Sequence, residues 1–173
     1  IEKKTGNSFY DSFNFVTPGY GIRPLEMSGA IGSVQLKKLP IFINNRRKNA
    51  SIFESLFKNE TNISIQQETE VSSWFGFSLL LTNKLSSFRD ELVNILMANN
   101  IECRPIVAGN FTKNPVIKYM DYDICGELSV SDEIDKNGFF VGNDFRDLKN
   151  EIYYLHELIK EFEKSNLLDR SQK

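Results

Sequence analysis

Histidine and cysteine are the scarcest reactive residues in this chain, and their scarcity excludes several chemistries. Of 173 residues, 1 is histidine and 2 are cysteine. Cys103 and Cys125 make no disulfide framework, and a reducing, cytoplasmic setting is expected. One histidine and two cysteines far apart in sequence leave too few ligands of the usual kind for zinc, so no metal site is expected. Nucleophilic catalysis by serine or cysteine usually needs a base such as histidine nearby. His156 has no evident partner of that kind, so a surface or helix-packing role is expected. No apolar run approaches the length of a membrane span, and Ile1 to Gly6 carry no signal-peptide core. Charge of one sign is also missing. The 21 Lys and Arg and 23 Asp and Glu are interspersed and give a formal net charge of −2. That balance offers no electrostatic reason to bind nucleic acid or an anionic membrane.

What is present is an ordinary globular composition, 40% hydrophobic and 25% charged, long enough to bury a core in one domain. The chain opens without a methionine, and the expectation is a fragment of a longer protein. The organising stretch is 14–39 (NFVTPGYGIRPLEMSGAIGSVQLKKL). Residues 17–21 are turn-prone, and Pro24 suits the first position of a helix because it has no N–H to lose there. From Leu25 the apolar residues follow helical spacing on two faces. Leu25, Gly29, Gly32, Leu36 and Leu39 form one stripe; Met27, Ala30, Ile31 and Val34 form another, nearly opposite. A helix apolar on two sides needs two partner surfaces. Gly29 and Gly32 weaken a helix and are explained most simply by close packing of another backbone. The helix is therefore expected to be sandwiched, with one neighbour outside these residues.

The remaining spacing predicts a break near Pro40, then a second helix through Ile43, Ala50, Phe53 and Phe57. Residues 63–65 allow a short strand. Residues 74–82 read as a buried strand. Ser87 and Asp90 resemble a capping box ahead of a helix bearing Phe88, Leu92, Ile95 and Leu96. Strands are expected at 101–105 and 139–141, with a short helix between that ends at Gly138 in a left-handed stop. Leu148, Ile152, Leu155, Ile159 and Phe162 define a final helix. The reading is α/β (α+β): a three-stranded sheet flanked by helices. Expected divisions are 1–22 lead-in and turn, 23–58 a long interdomain helix kinked near Pro40, 59–165 a small α/β domain, and 166–173 a frayed tail.

Four polar positions carry groups suited to a polar ligand, although composition alone favours an ordinary turn. Arg104 ends a strand before Pro105, and arginine suits phosphates and sugar oxygens. Asn110 and Lys113 lie in the loop that follows, which offers backbone amides, a hydroxyl and a cation. Asn143 closes the third strand. The competing reading is an ordinary turn with an arginine salt bridge.

Four stretches, in order, resemble a known family: 14–39, 72–78 (SSWFGFS), 101–112 (IECRPIVAGNFT) and 137–143 (NGFFVGN). The chain looks like the C-terminal part of the DegT/DnrJ/EryC1/StrS sugar aminotransferases and dehydratases, pyridoxal-phosphate enzymes of the aspartate aminotransferase fold. The resemblance is strongest to the branch of 3-dehydratases exemplified by the GDP-4-keto-6-deoxymannose enzymes. It implies a small C-terminal domain that forms one wall of a sugar pocket, with Arg104, Asn110, Lys113 and Asn143 toward a nucleotide-linked 4-keto-6-deoxy sugar. It implies a pyridoxal or pyridoxamine phosphate cofactor held by an N-terminal domain, and a homodimer. In that dimer Tyr20, Gly21 and Arg23 would reach the partner subunit's cofactor phosphate. Gly21 stands where the family usually has asparagine, so one amide donor is missing. No catalytic residue is assigned within the chain. The alternatives are a sugar aminotransferase and a non-catalytic interaction module.

Overall fold

The computed structural model describes residues 5–21 and 25–170. Its elements are α1 (Ser8–Asp11), α2 (Glu26–Leu36), α3 (Leu39–Phe57), β1 (Ile63–Ile65), β2 (Gly76–Leu81), α4 (Arg89–Ala98), β3 (Cys103–Arg104), α5 (Ser129–Asn137), β4 (Gly138–Gly142) and α6 (Lys149–Arg170). Short 3₁₀ turns fill Asn83–Leu85, Phe111–Lys113 and Pro115–Tyr119.

The strands form one antiparallel sheet in the order β1-β2-β4-β3. Side chains alternate across a strand, so Phe77, Leu79 and Leu81 of β2 share a face with Phe139 and Val141 of β4, and all five are buried. Helices α3, α4 and α6 cover that face. Phe53 of α3 stacks on Phe77 with ring centroids 4.4 Å apart. Ile152, Leu155, Ile159 and Phe162 of α6 complete the core, as the spacing predicts. On the other face Gly76 is required: a Cβ there would lie 2.8 Å from the Val141 carbonyl oxygen and 2.9 Å from the Phe140 ring.

The sheet has a fourth strand beyond the expected three. β1 is an edge of three residues, and the Gln66 side chain continues its ladder by accepting from the Ser78 N–H at 2.8 Å. The expected break near Pro40 is present, just ahead of it. The chain turns at Lys37 and Lys38, and Pro40 sits in the first turn of α3, where its missing N–H costs nothing. The lead-in is α1 rather than strand or irregular chain; the Asn7 side chain caps it and Phe9 enters the core. Ser87 does not cap α4. It adopts φ +76, and its N–H is taken by the Asn137 side chain at 2.8 Å. Gly138 is no left-handed stop either: its φ is −95, because β4 begins at that residue.

Helix α2 departs most from a globular pattern. None of its residues is buried. Leu25, Met27, Ile31, Val34 and Leu36 are 56–71% exposed. A Cβ built on Gly29 or Gly32 would meet nothing within 4 Å. Both predicted stripes are present, and neither is covered by the described residues.

Candidate functional site

A polar recess of about 670 Å³ lies between the lead-in, the loop after β3 and α5. Two anchors hold the lead-in there. At the first, the buried Arg89 of α4 sits between the rings of Phe9 and Tyr10, at 5.2 and 5.3 Å from their centroids. Its Nη2 donates to the Tyr10 hydroxyl at 2.9 Å. Its Nη1 donates to the carbonyls of Asp135 and Gly138 at 2.5 and 3.3 Å. Its Nε donates to Asp90 at 2.9 Å. The Tyr10 hydroxyl in turn donates to Asp90 at 2.7 Å. Burial pushes the Asp90 carboxyl up, but the Tyr10 hydroxyl and the Arg89 guanidinium outweigh it and hold the group below the usual range. Burial and the bond to Asp90 push the Tyr10 phenol up. At the second anchor, the Phe15 N–H donates to the Asn114 side chain and the Val116 N–H to the Phe15 carbonyl, both at 2.9 Å.

The floor is the loop from Pro105 to Lys113. Asn110, buried in this loop, accepts from the Thr112 N–H and hydroxyl at 3.1 and 2.7 Å and donates to Asp132 at 2.8 Å. The Lys113 ammonium lies 2.6 Å from Asp132 and 3.3 Å from Asp135. The contact to Asp132 raises the Lys113 pKa, and Lys113 followed by Asn110 lowers that of Asp132. Gly109 takes φ +56, and a Cβ there would stand 2.2 Å from an Asp135 carboxylate oxygen. Only glycine meets both conditions.

The four predicted substrate contacts do not converge on one cavity. Asn110 and Lys113 line the recess. Arg104 sits on the edge strand β3, half exposed, with its Nη2 2.6 Å from Glu102. Asn143 lines a separate cavity of about 480 Å³ beside α6. Its amide donates to the carbonyls of Arg46 and Trp74 at 3.0 and 2.9 Å and accepts from Asn49 at 3.2 Å. Asn49, buried in α3, also donates to the carbonyls of Asp144 and Arg146 and accepts from the Leu148 N–H. Tyr20 is 96% exposed and Gly21 is open, while Arg23 lies outside the described residues.

Sequence reading missed the lead-in as a wall, and with it Tyr10 and Asn14. Asp132 and Asp135 were equally invisible, since α5 brings them to Lys113 from a distance in sequence. His156 bonds Glu60 at 2.8 Å and meets the Phe57 ring edge-on, in keeping with a packing role. Cys103 is buried, and that burial pushes its thiol up to about 12. Among the described residues no cluster could hold a metal ion, and no helix is long and apolar enough to cross a membrane.

A model of the DegT/DnrJ/EryC1/StrS aminotransferase family matches residues 2–142. The chain is 55% identical over 159 residues to the GDP-4-keto-6-deoxy-D-mannose 3-dehydratase of Yersinia pseudotuberculosis, covering 91% of this chain and 40% of that protein. The Escherichia coli GDP-4-keto-6-deoxy-D-mannose-3-dehydratase, solved with hydrated PLP, superposes with a TM-score of 0.75 at 52% identity, over 90% of this chain and 40% of that one. A mutant of GDP-4-keto-6-deoxymannose-3-dehydratase solved with bound GDP-perosamine matches equally well, with the same TM-score, identity and coverage. The chain thus spans about 40% of the length of the relatives it matches.

Proposed function

The chain belongs to the DegT/DnrJ/EryC1/StrS aminotransferase family, and from that premise we propose that it is the C-terminal small domain of a nucleotide-sugar 3-dehydratase. The enzyme would remove the C3 hydroxyl of a nucleotide-linked 4-keto-6-deoxyhexose in the cytoplasm. Pyridoxamine phosphate, when bound, supplies the electron sink for that chemistry.

The observation that carries the reading is α2. A helix with two uncovered apolar stripes needs a body on each side, and the relatives are longer than this chain by more than half their length. In this proposal an N-terminal cofactor domain covers α2. The same domain bounds the sugar pocket opposite the wall formed here. In this proposal α2 is the interdomain arm, while α3, whose Phe53 and Phe57 lie in the core, moves with the small domain rather than with the arm expected over 23–58.

The turn before α2 fits a contact to an anion. Among the described residues the backbone N–H groups of Gly19, Tyr20 and Gly21 make no hydrogen bond. They, with Arg23, would meet the cofactor phosphate of the partner in a homodimer. Arg104, with its exposed guanidinium, would hold oxygens of the substrate. Asn110 and Lys113 shape the loop that faces the sugar, and Asn143 fixes the far end of β4. None of these residues moves a proton; they orient the substrate and exclude water.

The test is a chimera in which this chain replaces the matching segment of the Yersinia pseudotuberculosis relative. The expected result is a protein that binds pyridoxamine phosphate, seen in its absorbance, and consumes GDP-4-keto-6-deoxymannose. A folded chimera that binds the cofactor but leaves the sugar untouched would overturn the proposal.

A further inference from the structure

Hydrogen bonds are spread unevenly along the lead-in. Tyr10 is held by Arg89 and Asp90. Phe15 is held through its own backbone: its N–H donates to the Asn114 side-chain oxygen, and its carbonyl accepts from the Val116 N–H, both at 2.9 Å. The Phe15 ring also meets that of Phe111, with centroids 6.2 Å apart. Among the described residues no hydrogen bond is made by residues 16–21, and the next along the chain is at Leu25, whose carbonyl accepts from Ser28 and Gly29. Helix α2, into which the chain then runs, has no buried residue. Within the described residues the turn 17–21 is therefore placed from Phe15. Pro18 stiffens the stretch between them by fixing its φ, and six residues span at most about 20 Å, so a shift at Phe15 is passed to the turn. Asn114 makes this hold. It is 8% exposed, and an apolar residue in its place would leave the Phe15 N–H without its acceptor. Its backbone belongs to the loop that carries Asn110 and Lys113, where its N–H donates to the Phe111 carbonyl and its carbonyl accepts from Ile117, both at 3.0 Å. One side chain thus joins that loop to the segment leading into the turn.

Resting on the function proposed above, we propose that Asn114 is a positioning residue for the cofactor of the partner subunit. It acts through the Phe15 backbone, which sets where the unbonded N–H groups of Gly19, Tyr20 and Gly21 stand when they meet the cofactor phosphate. The loop after β3 in one subunit and the turn that serves the other subunit are then one rigid piece. A displacement of that loop is felt in the partner's cofactor pocket, and the coupling runs equally in the other direction.

The test uses the chimera described above, titrated with pyridoxamine phosphate by absorbance and assayed with GDP-4-keto-6-deoxymannose. Asn114→Ala should weaken cofactor binding about fivefold, the effect of one lost hydrogen bond. Its rate should recover at saturating cofactor, and its KM for the sugar should move less than its cofactor affinity. Asn114→Asp keeps the acceptor and should bind the cofactor within about twofold of the unmodified chimera. One glycine inserted after Val16 leaves Asn114, Phe15 and the core in place but displaces the turn. It should weaken cofactor binding about fivefold or more, with no change in the melting of the chain alone, and it decides the matter if Asn114→Ala does not fold. Unchanged cofactor affinity in Asn114→Ala, a silent glycine insertion, or a larger effect on the KM for the sugar would each overturn this assignment while leaving the dehydratase reading intact. Equal weakening in Asn114→Asp and Asn114→Ala would make Asn114 a packing residue and overturn it too. An unmodified chimera that neither binds the cofactor nor consumes the sugar would overturn the dehydratase reading and this assignment with it.

Discussion

Replacing Arg89 with methionine should release the lead-in from the domain. The guanidinium is buried, and all three of its nitrogens are bonded. Methionine keeps apolar bulk between the Phe9 and Tyr10 rings but leaves the carbonyls of Asp135 and Gly138 without their charged donor. Each such loss costs about 1–1.5 kcal/mol. The two ring contacts add roughly 0.5–1 kcal/mol each as cation–π interactions. The ion pair to Asp90 adds little, because the Asp90 side chain is 60% exposed and rehydrates. The expected loss is about 3–5 kcal/mol. With an m-value near 2 kcal/mol/M for a chain of this size, the urea midpoint should fall by about 1.5–2.5 M at unchanged slope. Arg89→Lys keeps the charge but not the fork of donors, and should fall between. A drop below about 1 kcal/mol in Arg89→Met would refute the claim that this residue anchors the lead-in.

Gly109→Ala should lose about 2–3 kcal/mol in the same assay, since it combines a left-handed alanine with a clash against Asp135; a neutral result would mean the loop relaxes freely. Stability should also fall in acid. Burial raises the Glu60 carboxyl, but hydrogen bonds from Lys160 and His156 prevail and lower it below 4.5. The unfolded chain then binds more protons near that pH, so the contribution is present above it and is lost as pH falls through the folded value. Glu60→Gln should flatten that acid limb in urea melts from pH 3 to 6; an unchanged limb would assign it to other carboxylates. Cys125 should react with a thiol reagent in the native chain while Cys103, buried and held up to about 12, reacts only on unfolding; two fast thiols would contradict the burial.

The sequence reveals most where one element decides its own structure. The stripe of Leu148, Ile152, Leu155, Ile159 and Phe162 announces α6, and the aromatic and aliphatic run from Trp74 announces β2. Local signals fail where a distant side chain intervenes. Ser87 and Asp90 look like a capping box, but Asn137 from α5 takes the Ser87 N–H and the helix starts later. Four residues of α1 are too few for a periodic pattern, and they are held by Arg89 from far along the chain. The site was half legible. The composition of the loop after Arg104 pointed to the recess, whereas the partners that occupy Asn110 and Lys113 belong to α5, and the facing wall belongs to the lead-in. Arg104 itself shows the ordinary salt bridge weighed against ligand binding.

The account rests on α2 being a helix made to be covered by a body other than this domain. Hydrogen exchange of its backbone amides, compared between this chain alone and the chimera with the Yersinia pseudotuberculosis relative, addresses that directly. The amides of Glu26–Leu36 should exchange rapidly in the chain alone, since no residue of the helix is buried, and be slowed by about a hundredfold or more in the chimera. Equal exchange in the two proteins would contradict it.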